Sequence, residues 1–119
     1  MLFRSAASVY AAGNGITLTG TTFAANVVAS GGVLVGSSGL SVDTTVVARK
    51  FATAVGDGST TAIVVTHGLG TQDIIMMVRL ATTPYSQVEC DMAATSTTTS
   101  TFTFNVAPTT GQYRVMIVG

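Results

Sequence analysis

The feature that most constrains this fold is a series of short segments, over residues 50–119, in which apolar and polar side chains alternate. Ile63, Val65 and His67 alternate with Ala62, Val64 and Thr66, and Phe102 and Phe104 alternate with threonines. Alternation with a period of two residues puts successive side chains on opposite faces of a β-strand. Turn-forming residues such as Asp57-Gly58 separate the segments. The pattern therefore predicts a succession of strands joined by turns.

Six candidate strands follow from this pattern. They cover residues 50–55, 60–67, 73–80, 86–93, 99–106 and 113–118. The segment 73–80 is the most apolar, which predicts an interior position in a sheet. In the segment 86–93, Val88, Cys90 and Met92 alternate with polar residues, which predicts one exposed face. Strands at this spacing favour an antiparallel β-sandwich, similar to a jelly roll, over residues 50–119.

Composition supports an all-β chain that associates with copies of itself. Charged residues make up 8% of the 119 residues, against about 25% in ordinary soluble proteins. Threonine and valine, which favour strands, are abundant, and strong helix formers are scarce. A formal net charge of zero with so few charges favours self-association. A small domain also buries a limited share of its surface, so an oligomer is a direct way to bury more.

The N-terminal part contains two similar segments, 15–26 and 32–43, which align without a gap, so that Gly15 corresponds to Gly32 and Asn26 to Asp43. Each predicts a β-hairpin. A hairpin alone is marginal in water, so such units are expected to become stable when several chains wrap around one axis. We expect an anchoring segment at 1–12, short β-repeats and a linker at 13–49, and the β-domain at 50–119. In the linker, Asp43 or Thr44 caps one helical turn, or the segment is extended.

Charge and hydropathy argue against several classes of partner. Five basic and five acidic residues balance, and no run of like charge forms a phosphate-binding patch, so no nucleic-acid partner is expected. No apolar run reaches the roughly 18 residues of a spanning helix, and no membrane insertion is expected. The start of the chain is not expected to be a signal peptide. Cys90 is the only cysteine, and its acidic neighbours Glu89 and Asp91 should raise its pKa.

Residues that could carry chemistry are few, and each has a simpler structural interpretation. His67 is predicted to bond nearby backbone at a strand end, with a metal ion held by three copies of it as a remote alternative. Glu89 and Asp91 would lie about 7 Å apart on one strand face, which suits a glycosidase pair, although an exposed strand face is the simpler interpretation. Asp57 is predicted in a turn and not in a calcium site. We expect no enzymatic activity, cofactor or metal.

Two stretches resemble proteins of tailed-bacteriophage virions. Residues 40–50, LSVDTTVVARK, with the repeats before them, resemble the beaded shaft of fibre proteins. Residues 51–61, 65–73 and 106–119 resemble the C-terminal β-domain of head-fibre, decoration, minor tail and tail-fibre proteins, and the most specific motifs are THGLGTQD at 66–73 and the ending YRVMIVG at 113–119. The resemblance implies a virion location, a homotrimer bound to other virion proteins such as the major capsid or tail proteins, and no catalysis.

Within that resemblance, a short homotrimeric capsid decoration or head-fibre protein is the leading expectation, because only about a dozen residues precede the repeats. The alternative is a tail-fibre or minor tail protein that binds carbohydrate or protein of the host surface. Its contacts would lie in loops 68–72, 82–85 and 108–112, with Gln72, Tyr85 and Tyr113 as candidate contact residues. A virion hydrolase that uses Glu89 and Asp91 is a third hypothesis.

Overall fold

The computed structural model describes residues 13–20 and 22–119, and these residues contain eleven β-strands and no helix. The expected all-β class is therefore confirmed. The chain divides into two compact units, one up to Val47 and one from Ala48 to Gly119. The expected anchoring segment at residues 1–12 lies outside the described residues.

The first unit contains two antiparallel hairpins, each a pair of four-residue strands. The strands are β1 (Ile16–Thr19), β2 (Thr22–Ala25), β3 (Val33–Gly36) and β4 (Gly39–Val42). The strand β1 pairs with β2, and β3 pairs with β4.

The two hairpins share the same register. Ile16 pairs with Ala25, and at the equivalent positions of the second hairpin Val33 pairs with Val42. The hydrogen bond that closes each hairpin is equivalent as well. The backbone N–H of Asn26 donates to the carbonyl of Gly15 at 2.9 Å, and that of Asp43 donates to the carbonyl of Gly32 at 2.9 Å.

A single capped turn follows the second hairpin. The Val47 N–H donates to the Asp43 carbonyl at 2.9 Å, and the Thr45 N–H donates to Asp43 Oδ1 at 3.0 Å. The Thr45 hydroxyl also donates to Oδ1, at 2.6 Å, and these bonds lower the pKa of the Asp43 carboxyl. Asp43 therefore supplies a cap of the kind expected for this segment, over one turn that does not continue as a helix.

The second unit consists of a four-stranded and a three-stranded sheet, and the pairings between their strands are antiparallel. The four-stranded sheet has the order β5-β11-β7-β8, and the three-stranded sheet has the order β6-β10-β9. The strands are β5 (Lys50–Val55), β6 (Ala62–Thr66), β7 (Ile75–Leu80), β8 (Gln87–Val88), β9 (Asp91–Ala94), β10 (Thr99–Thr103) and β11 (Tyr113–Val118). The most apolar segment, β7, lies between β11 and β8, as expected for an interior strand.

The prediction of one strand over residues 86–93 is wrong. Gln87 and Val88 pair with β7 in one sheet, whereas Asp91 begins β9 and pairs with β10 in the other. Glu89 and Cys90 belong to neither strand and carry the chain from one sheet to the other. The alternation of side chains continues through this crossing, so the sequence pattern does not mark the change of sheet.

Both sheets contribute side chains to one core. Phe102 is fully buried and Phe104 is nearly so, while Thr103 between them is exposed, which confirms the predicted faces of that strand. Burial of such a side chain contributes about 1.5–3 kcal/mol. The buried apolar residues are Val55, Val65, Leu69, Val78, Phe102, Phe104, Val115 and Ile117.

Ser100 lies in this core with no hydrogen-bond partner for its hydroxyl, and its exposed fraction is 0%. A buried polar group without a partner destabilises the fold, since it has lost its hydrogen bonds to water. We expect Ser100→Ala to leave the free energy of unfolding unchanged or to raise it by about 1 kcal/mol. Urea denaturation of the full chain measures this.

Ser96 provides the control for that substitution. Its hydroxyl oxygen accepts the backbone N–H groups of Thr98 at 3.1 Å and Thr99 at 2.9 Å in the turn before β10. Ser96→Ala should lower the free energy of unfolding by about 1 kcal/mol. If Ser100→Ala is as destabilising as Ser96→Ala, then the Ser100 hydroxyl has a partner and the prediction is wrong.

Candidate functional site

Each hairpin of the first unit has one apolar face. In the first hairpin, the cross-strand pairs Ile16–Ala25 and Leu18–Phe23 share a face, because they alternate with the pairs Thr17–Ala24 and Thr19–Thr22. In the second hairpin, the pairs Val33–Val42 and Val35–Leu40 share a face in the same way. We call these two four-residue surfaces the hairpin faces.

Several apolar side chains of the hairpin faces are exposed. Val35, Leu40 and Val42 are 52%, 64% and 54% exposed, and Ile16 is 48% exposed. Within residues 13–20 and 22–47, Gly32 is the one residue classed as buried. This unit therefore has no apolar core in its described residues, and two-stranded hairpins of this kind are not expected to be stable in water by themselves.

The outer face of the four-stranded sheet collects basic residues. The pairing of β5, β11 and β7 places Lys50, Arg114 and Arg79 on the face opposite to the buried Val55, Val115 and Val78. These are three of the five basic residues of the chain. Apolar side chains share this surface, which we call the basic sheet face, and they are Ile75, Met77, Met116, Val118, Ala52 and Ala54.

Arg79 and Arg114 are direct cross-strand neighbours on this face. Like charges in such positions repel each other. Arg79 donates from Nη1 to the Leu80 carbonyl at 2.8 Å, and its Cζ lies 4.9 Å from the centre of the Tyr85 ring. Across the described residues no carboxylate forms an ion pair with either guanidinium, so no acidic group there offsets the repulsion.

The three predicted contact residues occupy different surroundings. Tyr85 is 54% exposed and has a φ of 59°. Tyr113 stacks on Phe104 with ring centres 5.0 Å apart, and its hydroxyl accepts a bond from Gln112 Nε2 at 3.2 Å. The side chain of Gln72 donates from Nε2 to the Ala94 carbonyl at 3.2 Å. Of the three, Tyr85 presents the most open ring or amide for a contact with another molecule.

The structure brings two of the three predicted loops to the same end of the four-stranded sheet. Tyr113 pairs with both Val55 and Leu80, so the loops after Leu80 and before Tyr113 leave from one end. Val118 pairs with Ile75, so the loop that contains Gln72 leaves from the opposite end. Loops 82–85 and 108–112 are therefore neighbours, and loop 68–72 is separate from them.

His67 serves the fold from inside the second unit. It is 6% exposed, and its Nδ1 accepts the backbone N–H of Leu69 at 3.2 Å, which confirms the predicted bond to nearby backbone. Its Nε2 is buried without a partner. The Arg49 guanidinium donates to the carbonyl of the same Leu69. Because the ring is enclosed, this geometry gives no support to a metal ion shared by three copies of His67.

Three further candidate residues, Glu89, Cys90 and Asp91, lie where the chain crosses from one sheet to the other. Glu89 and Asp91 are exposed and line a groove of about 700 Å³ together with Met92 and Val106. The pKa of the Cys90 thiol is raised by burial first and by Asp91 second, so the predicted direction is confirmed and, of the two acidic neighbours, Asp91 contributes to it. No group of three His, Cys, Asp or Glu in the described residues is arranged to hold a metal ion. Nor does any helix there reach the length and hydropathy that crossing a membrane requires.

Asp57 organises the turn after β5, as predicted. Its Oδ1 accepts the backbone N–H groups of Ser59 at 2.9 Å and Thr60 at 2.7 Å, and the Thr60 hydroxyl donates to Oδ2. These bonds, the Thr60 hydroxyl first, hold the pKa of the Asp57 carboxyl well below its usual range. The turn is therefore stabilised by the ionised form of this side chain.

A pH dependence follows from the lowered pKa of Asp57. The pKa is lower in the folded than in the unfolded chain, so the stabilisation is complete above the unfolded value of about 4 and is lost as the pH falls toward the folded value. We expect Asp57→Asn to lower the melting temperature at pH 7, and the difference from the unsubstituted protein to shrink below about pH 4. An equal difference at neutral pH and at about pH 2.5 in thermal unfolding would contradict this.

The basic sheet face could not be predicted from the sequence. Lys50, Arg79 and Arg114 are far apart along the chain, and the alternation in each segment gives the face of its own strand and not the pairing between strands. Only the register of β5, β11 and β7 places the three charges on one face of the sheet.

Comparisons of this chain with protein-family models, with curated proteins and with solved structures gave no match.

Proposed function

We propose that this chain is a structural protein of a bacteriophage virion, and that it works as a homotrimeric capsid decoration or short head-fibre protein. The observation that carries the proposal is the pair of hairpin faces, on which Ile16, Val33, Val35, Leu40 and Val42 are exposed. The resemblance of residues 40–50, 66–73 and 113–119 to phage fibre and decoration proteins supports the virion location. No catalytic role belongs to this proposal.

The geometry of the hairpins supports assembly around one axis. Both hairpins have a face with four apolar side chains, and their cross-strand pairs occupy equivalent positions. We interpret them as two copies of one repeat. Three chains that turn these faces inward would form a shared core, in which each buried Val, Leu, Ile or Phe contributes about 1.5–3 kcal/mol. Association would then supply the burial that this unit lacks in its described residues.

The second unit is proposed to be an antiparallel β-sandwich. The supporting observation is that the four-stranded and the three-stranded sheet both direct buried residues into one core, with Val78 and Val115 from one sheet and Val65 and Phe102 from the other.

The solution mass of the full chain tests this proposal first. Light scattering over a concentration series should give a stable mass of three times the chain mass of 12.0 kDa. The second step is to incubate the protein with purified phage particles and to recover them by sedimentation. Removal of residues 2–12, the expected anchor, should abolish co-sedimentation and leave the oligomer intact. A monomer at every concentration would overturn the proposal.

A second candidate function is binding to carbohydrate or protein of the host surface, as a tail-fibre or minor tail protein. The observation that favours it is the shared location of loops 82–85 and 108–112, with the exposed ring of Tyr85 among them. Binding of the labelled protein to host cells, reduced at least tenfold by Tyr85→Ala, would support this function. The absence of cell binding by a protein that co-sediments with particles would favour decoration.

A further inference from the structure

The described residues of the chain supply no counter-charge to the basic sheet face. Lys50, Arg79 and Arg114 lie on it, and no carboxylate in the described residues forms an ion pair with any of them. Cross-strand repulsion between Arg79 and Arg114 is tolerated best when an anionic group lies across both. The exposed Ile75, with 75% of its surface accessible, and the half-exposed Val118 lie on the same face. A partner for this face should therefore carry both carboxylates and apolar side chains.

One other surface of the same unit has these properties. The groove at the crossing between β8 and β9 is lined by Glu89 and Asp91, neither of which forms an ion pair in the described residues. Met92 and Val106 line it as well and are 42% and 78% exposed. We call this surface the acidic groove. It complements the basic sheet face in charge and resembles it in apolar content.

The count of charges points to the same partner. The second unit has four carboxylate side chains, of which Asp57 is held by its own turn, so Asp73, Glu89 and Asp91 remain. Against them stand Arg49, Lys50, Arg79 and Arg114, because bonds to the neutral carbonyls of Leu69 and Leu80 do not cancel the charges of Arg49 and Arg79. Acids and bases that form no ion pair within the described residues, in a unit with so few charges, are the pattern of a surface that neutralises itself between copies.

We infer that the basic sheet face of one copy docks on the acidic groove of a second copy. This inference rests on the proposed homotrimer and adds the contact between its second units. The charged residues of the two surfaces are different, so the contact is head-to-tail, and a head-to-tail contact closes into a ring when its rotation allows. In three copies related in this way each basic sheet face meets an acidic groove, whereas a contact between two identical basic faces would bring like charges together.

Charge reversal in the full chain tests the inference. In Arg79→Glu/Arg114→Glu, the altered sheet face repels the acidic groove, and the protein concentration at half-dissociation should rise at least about tenfold. Glu89→Arg/Asp91→Arg should have the same effect from the other side. The variant with all four substitutions exchanges the two charges and should return to within about threefold of the unsubstituted protein. Sedimentation and light scattering over a dilution series measure all four proteins.

The controls separate this contact from a folding defect. Thr66→Glu adds a negative charge at an exposed position of β6, which is not part of either surface, and should leave the dissociation concentration unchanged. Arg114→Glu alone changes a side chain that makes no hydrogen bond in the described residues, so its effect does not depend on the Arg79–Leu80 bond. Rescue by the fourfold variant would not occur if the arginines only stabilised the fold.

Each outcome has one meaning. An unsubstituted protein that is monomeric throughout overturns the proposed function and this inference with it. An oligomer whose dissociation is insensitive to Arg79→Glu/Arg114→Glu, or a fourfold variant that fails to recover, overturns the inference and leaves the homotrimer standing. If the double variant dissociates normally but loses binding to dextran sulfate beads, then the basic sheet face serves an anionic partner of another kind, and the inference is overturned.

Discussion

Val35→Asp/Leu40→Asp is expected to convert the oligomer into monomers. The two side chains form a cross-strand pair on the second hairpin face and are 52% and 64% exposed in the single chain. In the proposed trimer they lie in the shared core, where each loses about 1.5–3 kcal/mol of burial on replacement. A tenfold change in affinity corresponds to about 1.4 kcal/mol, so the apparent dissociation constant should rise at least about 100-fold.

The opposite sides of the same hairpins supply a matched control. Thr17→Asp/Ser41→Asp introduces the same two charges, on the faces that alternate with the apolar pairs. Light scattering should show this control at the mass of the unsubstituted protein and the Val35→Asp/Leu40→Asp variant at 12.0 kDa. If both variants dissociate equally, or if neither does, the hairpin faces are not the contact that holds the copies together.

Gly56→Ala is expected to be the most destabilising single substitution in the second unit. Gly56 has a φ of 121°, a conformation that side chains with a Cβ rarely adopt. A Cβ at this position would overlap the carbonyl oxygen of Thr109 and would lie 3.1 Å from that of Pro108. These atoms are backbone, and the loop is fixed to the same turn by the bond from the Gly111 N–H to the Gly56 carbonyl at 3.1 Å.

The expected loss combines backbone strain with displacement of the 108–112 loop, and it should reach about 3 kcal/mol or more. For a domain of this size that corresponds to a fall in melting temperature of roughly 12 °C or more. Gly58→Ala is the control, because Gly58 has a φ of 83° but has no atom within 4 Å of an added Cβ. Its strain alone should cost about 1–2 kcal/mol. Thermal unfolding that ranks the two variants equally would contradict the role assigned to the Thr109 carbonyl.

Local patterns are sufficient to predict much of the second unit. The predicted strands 50–55 and 113–118 have the bounds of β5 and β11. The alternation around Val65 and Phe102 gives the correct buried faces, because a strand with one buried face has apolar side chains at every second residue. The prediction for 86–93 fails because its period persists while the chain changes sheets at Glu89 and Cys90, a change that depends on pairing with distant strands.

The candidate sites depend even more on pairing between distant strands. The loops of Gln72 and Tyr85 can be recognised from turn residues, but their separation to opposite ends of the sheet follows from the register of β7 with β11. Met92 shows a related limit. It pairs with Phe102 on the side of the core, yet it is 42% exposed because β9 is an edge strand. Neither the end of a sheet nor its edge leaves a local signal in the sequence.

The common register of the two hairpins sets a rule for how such a chain can change in length. The interval from Ile16 to Val33 equals the interval from Ala25 to Val42, and side chains alternate faces at every residue. Duplication of a segment of this length would add a hairpin with its apolar side chains on the correct side, and deletion of one would shorten the protein without disturbing the rest. An insertion of one residue inside a strand would instead shift its cross-strand pairing and turn the apolar side chains beyond it to the other face. The length of this part of the molecule is therefore expected to vary by whole hairpin units, each as long as the interval from Ile16 to Val33.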